Sequence, residues 1–212
     1  MTKAITILVA IASAVTALVA ILSVSATDSA RDLLDGRISS SEFEDATIGY
    51  NLIQLGTGLV TISAMIVVII WMYRIAANIR AFGISTTWHP IWAVFGWILP
   101  PVLYIIPLLM LRELWKKSVP VAKPDSSGGG ENSILLAWFV LFSIIPAILT
   151  VLSVGSFADQ FASQGAEQQA QLLVDAGSLT IINSIVTIGA GIAWILFVRQ
   201  LGNRHIAMTG ER

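Results

Sequence analysis

Long apolar runs alternate with short polar ones along this chain, and the runs exceed what a soluble core needs. The apolar runs occupy residues 4–25, 49–73, 90–111, 133–155 and 177–199. An α-helix rises about 1.5 Å per residue, so roughly 20 apolar residues cross a ~30 Å hydrocarbon layer. Four of the runs (4–25, 49–73, 133–155 and 177–199) read as transmembrane helices. The intervals between them read as an acidic external loop at 26–48, a linker at 112–132, an external loop at 156–176 and a polar tail at 200–212. Within the first interval, Ser41 and Glu44 have capping-box spacing, which predicts a helix start that continues into the second run. Val24-Ser25-Ala26 resembles a signal-peptide cleavage site. The first run is longer than the ~7–15 residues of a signal core, so it is read as a retained helix.

The fifth run is different. "HPIWAVFGWILPPVLYIIPLLM", residues 89–110, contains four prolines, and Pro100 and Pro101 are adjacent. Each proline removes a backbone donor and clashes with the preceding turn, so a helix breaks there. The pieces on either side are about ten residues, roughly half a bilayer deep.

Charge decides between crossing and turning back, because short loops rich in Lys and Arg stay cytoplasmic. Arg74 and Arg80 precede the run; Arg112, Lys116, Lys117 and Lys123 follow it. A crossing would put one basic segment outside. A re-entrant hairpin turning at Pro100, Pro101 and Pro107 keeps both inside, with ten of the twelve Lys and Arg. The alternative is a Pro-kinked fifth span. The expected fold is therefore an all-α integral membrane protein, one domain over 1–212. It has four transmembrane helices as two similar hairpins, a Pro-rich re-entrant hairpin at 90–111, and both termini cytoplasmic.

Composition sharpens this picture. The chain is 56% hydrophobic and 12% charged, with mean hydropathy +0.81, outside the range of soluble domains. It has no cysteine and two histidines, which excludes thiol chemistry and a histidine-rich metal site. Five of the tryptophans, Trp71, Trp88, Trp115, Trp138 and Trp194, are expected at the cytoplasmic interface as a belt.

The two halves look alike. "ILSV" and "VLSV" close the first and third spans, and Arg74/Asn78 and Arg199/Asn203 each share a helix face at i, i+4. This suggests a direct repeat of two-helix hairpins.

Candidate chemistry is sparse. The span interiors hold no ionisable residue, which argues against a proton-coupled transporter. Asn51, Asn183 and several Ser and Thr either line a polar path or hydrogen-bond between helices, and the latter is the commoner use. Arg74, Asn78, Arg80, Arg112, Lys116, Lys117, Arg199, Asn203 and Arg204 gather at the cytoplasmic end as a candidate cluster for an anion, anionic lipid or partner. Topology alone accounts for such charges as well. Glu113 is the single acid there and is expected to pair with a neighbouring cation. No nucleophile–base pair, phosphate loop or metal-ligand spacing is present, so no catalytic residue, cofactor or metal is assigned.

"WMYRIAANIRAFG" and "HPIWAVFGWILPPVLYIIPLLMLRELWKKS" carry a family resemblance. Trp71, Arg74 and Asn78 at a helix end, Pro100 and Pro107, and Glu113 with Trp115 resemble the pattern of actinobacterial membrane proteins grouped as domain of unknown function 4328. The exit reads Trp-Lys-Lys where that pattern has Trp-Arg. The resemblance implies a bacterial inner-membrane protein and assigns no activity. The leading functional reading is a non-catalytic accessory or scaffolding subunit. Its expected partners are anionic membrane lipids, other integral membrane subunits or copies of itself, and not nucleic acid. The alternative is a small channel or transporter with its path beside the hairpin.

Overall fold

A computed structural model describes residues 1–98, 105–118, 132–152 and 165–210. Its elements are α1 (Thr2–Leu34), α2 (Ser40–Ala81), α3 (Trp92–Ile98), α4 (Ile106–Lys117), α5 (Ser133–Phe139), a π-helical turn (Val140–Ile144), α6 (Ile145–Leu152) and α7 (Ala166–Thr209). Among the described residues, four helical stretches are long and apolar enough to span a membrane: Thr2–Leu34, Ser40–Ala81, Ser133–Val151 and Ala166–Thr209. The fold is all-helical, as the alternation of runs predicts. Pro100 and Pro101, the turn of the expected hairpin, lie outside the described residues.

The polar intervals are much more helical than expected. α1 continues through Val24-Ser25-Ala26 to Leu34, α2 already begins at Ser40, and α7 runs from Ala166 to Thr209. The expected loops at 26–48 and 156–176 and the tail at 200–212 are therefore helical over much of their length. The cause is a small apolar core hidden in acidic sequence. Ala30, Leu33, Phe43 and Ala170 are buried together, with Ile38, Leu173 and Val174 packed on them. Burial of the Phe43 side chain alone contributes about 2 kcal/mol to this core.

Local chemistry sets the helix ends. Gly36 has φ 70°, and the Gly36 and Arg37 amides donate to the Leu33 and Asp32 carbonyls at 2.9 and 2.8 Å. This is a Schellman stop, which needs a residue without a Cβ in the left-handed region. Arg37 then bonds Asp35 at 2.6 Å and Asp32 at 2.8 Å. The hydrogen bond to Asp35, helped by the charge of Asp32, raises the Arg37 pKa above its ordinary value. Gly83, at φ 77°, ends α2 in the same way.

The capping box of α2 sits two residues earlier than predicted. Ser39 N–H donates to Glu42 Oε2 at 2.8 Å, and Glu42 N–H donates back to Ser39 Oγ at 3.4 Å. Ser39-x-x-Glu42 and Ser41-x-x-Glu44 have the same spacing, so the pattern alone could not choose. Starting at Ser40 places Phe43 inward, which resolves the choice.

In the third span the π turn lies just before Pro146. A proline ring collides with the carbonyl four residues back, and a wider turn relieves the collision.

The chain forms two compact units. The first comprises Met1–Ala10, Thr61–Val140 and Ala190–Arg212; the second comprises Ile11–Val60 and Leu141–Gly189. The described residues of the first carry eight Lys and Arg against Glu113 alone. Those of the second carry eight Asp and Glu against Arg31 and Arg37. In the second unit, Thr27 Oγ1 donates to Ser23 O at 2.7 Å and lies 3.4 Å from Leu173 O. Gly177 lets α1 approach there, since a Cβ would stand 3.1 Å from Thr27 Oγ1.

Tryptophans build the core of the first unit. Trp194 on α7 meets Trp138 on α5 at 4.6 Å and Trp71 on α2 at 6.3 Å between ring centroids. Trp97 on α3 reaches Trp138 at 6.3 Å, and Phe197 carries the chain on to Trp115 on α4 at 6.1 Å. Trp71, Trp97, Trp138 and Trp194 are all at most 8% exposed. The expected interfacial belt is thus corrected for Trp71, Trp138 and Trp194. A belt ring faces headgroups, whereas these rings face one another, which secures dispersion and edge contacts together. Trp88 and Trp115 are only half-buried.

Candidate functional site

All nine residues of the predicted cytoplasmic cluster fall in the first unit. They do not form one site. Arg74, near the end of α2, is exposed and directs Nη1 to Met1 Sδ at 3.3 Å. One turn on, Asn78 faces α7 and lies 3.4 Å from His205 Nε2. Arg80 and Arg199 are exposed, and so is Asn203. Asn203 makes no polar contact among the described residues, so Asn78 and Asn203 play different parts despite their matching spacing.

Arg204 belongs to the packing of the unit. Its guanidinium stacks 3.9 Å above the Trp115 ring, and its Nε donates to Ser118 O at 3.2 Å. A planar guanidinium can satisfy a ring face and a carbonyl at once. Ser118 is fully buried and caps α4 through its amide to Leu114 O at 3.0 Å. Gly202, on the preceding turn of α7, approaches α1 so closely that a Cβ would lie 2.7 Å from Thr2 Oγ1.

Among the described residues, Glu113 pairs with no cation. Its two carboxylate oxygens accept the Thr87 amide at 2.6 Å and the Trp88 amide at 3.0 Å. Backbone N–H groups in the turn ahead of α3 lack helical partners, and a carboxylate satisfies two of them with charge-assisted bonds. The carboxylate is turned to the backbone of this turn, where its neighbours in sequence suggested a cation. Around this clamp lies an open surface depression of about 420 Å³, lined by Thr87, Trp88, Leu109, Arg112, Glu113, Lys116 and Lys117. Among the cluster residues, Arg112, Lys116 and Lys117 therefore share a concavity.

Pro107, expected in the hairpin turn, is instead at the start of α4. There its missing N–H costs nothing. α3 packs on α4 at Gly96, where a Cβ would meet Ile106 Cγ2 at 2.9 Å. Seven and twelve residues long, these helices reach about 10 and 18 Å, so neither crosses a bilayer alone.

Residues 34–203 match the family described as "Domain of unknown function (DUF4328)". The chain belongs to this family. No curated protein and no solved structure matches it. Membership of DUF4328 brings no activity, so the chemistry must be argued from this chain's residues.

Three participants of the site in this DUF4328 chain, His205 and the amides of Thr87 and Trp88, gave little sign of themselves in the sequence. His205 is 8% exposed and continues the buried face of α7 through Trp194, Phe197, Leu201 and Met208. That helical spacing was the available signal. The Thr87 and Trp88 amides carried none, because only the folded chain brings them to Glu113, 26 and 25 residues further on.

Proposed function

We propose that this chain is a non-catalytic, multi-pass subunit of a bacterial inner-membrane complex, docking other integral membrane helices against its spans. The observation that carries the reading is Asn183. Its side chain is exposed on the apolar part of α7, beside exposed Ile182 and Ile185, and makes no hydrogen bond among the described residues. A primary amide facing lipid forfeits several kcal/mol of hydrogen bonding, and a neighbouring helix is the usual remedy. Gly56 and Gly58 add to this, because nothing lies within 4 Å of where their Cβ atoms would be. Glycine in a helix costs about 1 kcal/mol relative to alanine, a cost that close approach of another helix offsets.

Several Ser and Thr hydroxyls in the spans bond back to their own helix, as Thr16 does to Ala12 O at 2.9 Å and Ser184 to Thr180 O at 2.8 Å. Their donors are thereby used, which favours docking over a polar conduit. In the same reading both termini are cytoplasmic and α3 and α4 form a re-entrant pair. The concentration of basic residues in the first unit and the short lengths of α3 and α4 support that arrangement. The likeness of the two helix-hairpin halves belongs to it as well.

Purification in mild detergent tests the proposal. A larger membrane protein should co-purify in fixed ratio, and N183L should release it. A homogeneous lone species that conducts solute in liposomes would contradict it and favour a channel or transporter.

A further inference from the structure

One exposed stripe of α4 changes chemistry along its length. Ile105, Leu109, Arg112 and Lys116 recur at intervals of four and three residues and share a helix face. Ile105 is 56% exposed and Leu109 36%, while Lys116 is exposed and Arg112 half-buried. The apolar half therefore runs directly into the cationic half, and the open depression of about 420 Å³ opens beside the junction.

Among the described residues, the charge balance of this depression is positive. Arg112, Lys116 and Lys117 line it against Glu113. The C-terminus of α4 adds the equivalent of about half a negative charge, which leaves a surplus of roughly +1.5. Glu113 is moreover engaged by the Thr87 and Trp88 amides. That clamp holds the Thr87–Trp88 backbone against α4, and Trp88, which lines the depression, is itself braced edge-on by Trp92 at 5.9 Å. The other arginine of this end that is tied into the packing, Arg204, is held by Trp115 and Ser118 and is not offered to a ligand.

We propose that this depression binds the phosphate-ester headgroup of an anionic membrane phospholipid, with an acyl chain lying along Leu109 and Ile105. The assignment rests on the membrane-subunit reading above and gives its basic face a specific ligand. A soluble phosphate ester has no use for an apolar track leading out of its site, whereas an amphiphile requires both halves in this order. A half-buried indole at the rim suits the headgroup level, where one end of the ring is apolar and the other wet.

The experiment uses the full chain in mild detergent with equal amounts of phosphatidylglycerol and phosphatidylcholine, bound lipids being counted by native mass spectrometry. The wild type should retain phosphatidylglycerol preferentially. R112Q/K116Q should lower that preference about twenty-five-fold, at roughly one fivefold factor per basic group. R80Q/R199Q removes two exposed charges outside the depression and should change it less than threefold. Lys116 makes no polar contact among the described residues, so K116Q alone reads the site without disturbing the fold and should cost about fivefold. Equal losses from both charge pairs would overturn the proposal in favour of diffuse attraction, and so would a wild type indifferent to headgroup. Displacement of the lipid by millimolar glycerol phosphate would overturn the assignment to a lipid. Because the isolated chain is used, the result is independent of whether a larger complex co-purifies.

Discussion

The contact between α3 and α4 is the tightest test of how the segment around the prolines is packed, and G96A probes it. The Cβ added at Gly96 would stand 2.9 Å from Ile106 Cγ2, with Ile106 Cβ at 3.4 Å and Pro107 Cδ at 3.6 Å behind it. Turning the isoleucine about χ1 moves only the first of these atoms, and the proline ring is rigid. The helices must therefore separate by several tenths of an ångström, an overpacking that costs about 1–3 kcal/mol. Alanine improves helix propensity over glycine by about 1 kcal/mol, which offsets part of the cost. The net expectation is a destabilisation of about 1 kcal/mol in the wild-type background. In an I106A background the clashing Cγ2 is gone, and G96A should become stabilising by up to about 1 kcal/mol. The assay is loss of helicity by circular dichroism during titration of mild detergent with dodecyl sulfate, for the two single variants and the double. A sign change gives a coupling energy of about 1–3 kcal/mol. Additive effects, or stabilisation by G96A alone, would refute the packing argument.

Two further outcomes follow from the first unit. W194A removes the ring that joins Trp71, Trp138 and Phe197 and should cost about 3–5 kcal/mol in the same titration, while W88A, at a half-buried ring, should cost far less. Similar small effects from both would return Trp194 to an interfacial belt. E113A abolishes two charge-assisted bonds and should destabilise by about 1–3 kcal/mol, with faster hydrogen exchange confined mainly to the Thr87 and Trp88 amides. Unchanged exchange there would show that the turn is held by something else.

The sequence was most informative where a physical demand acts on a whole segment. Crossing a bilayer needs length and apolarity, and the four apolar runs became four helices of sufficient length. It was less informative where a few residues act against their surroundings. Leu33 and Phe43 lie among acids, so the intervals around them read as loops, yet burial of these two side chains keeps the helices going. Tryptophan carries an apolar body and a polar tip, and its position in the chain cannot say whether it faces headgroups or other rings. In Trp194 the rings won. Glu113 was read by the charged residues near it in sequence, Arg112, Lys116 and Lys117, whereas its partners are amides from the turn before α3. Of the nine cluster residues, Arg112, Lys116 and Lys117 are near neighbours in the chain and share one depression. Spacing could not foresee that Arg204 would be absorbed by Trp115.

The central claim is that both basic segments flanking the Pro-rich stretch lie on one side of the membrane. The native chain has no cysteine, so single cysteines report directly. In intact cells, T86C and V121C should both resist an impermeant thiol reagent until the membrane is opened, while E44C in the acidic first turns of α2 should react at once. Labelling of T86C or V121C from outside would place one basic segment across the bilayer and contradict the account.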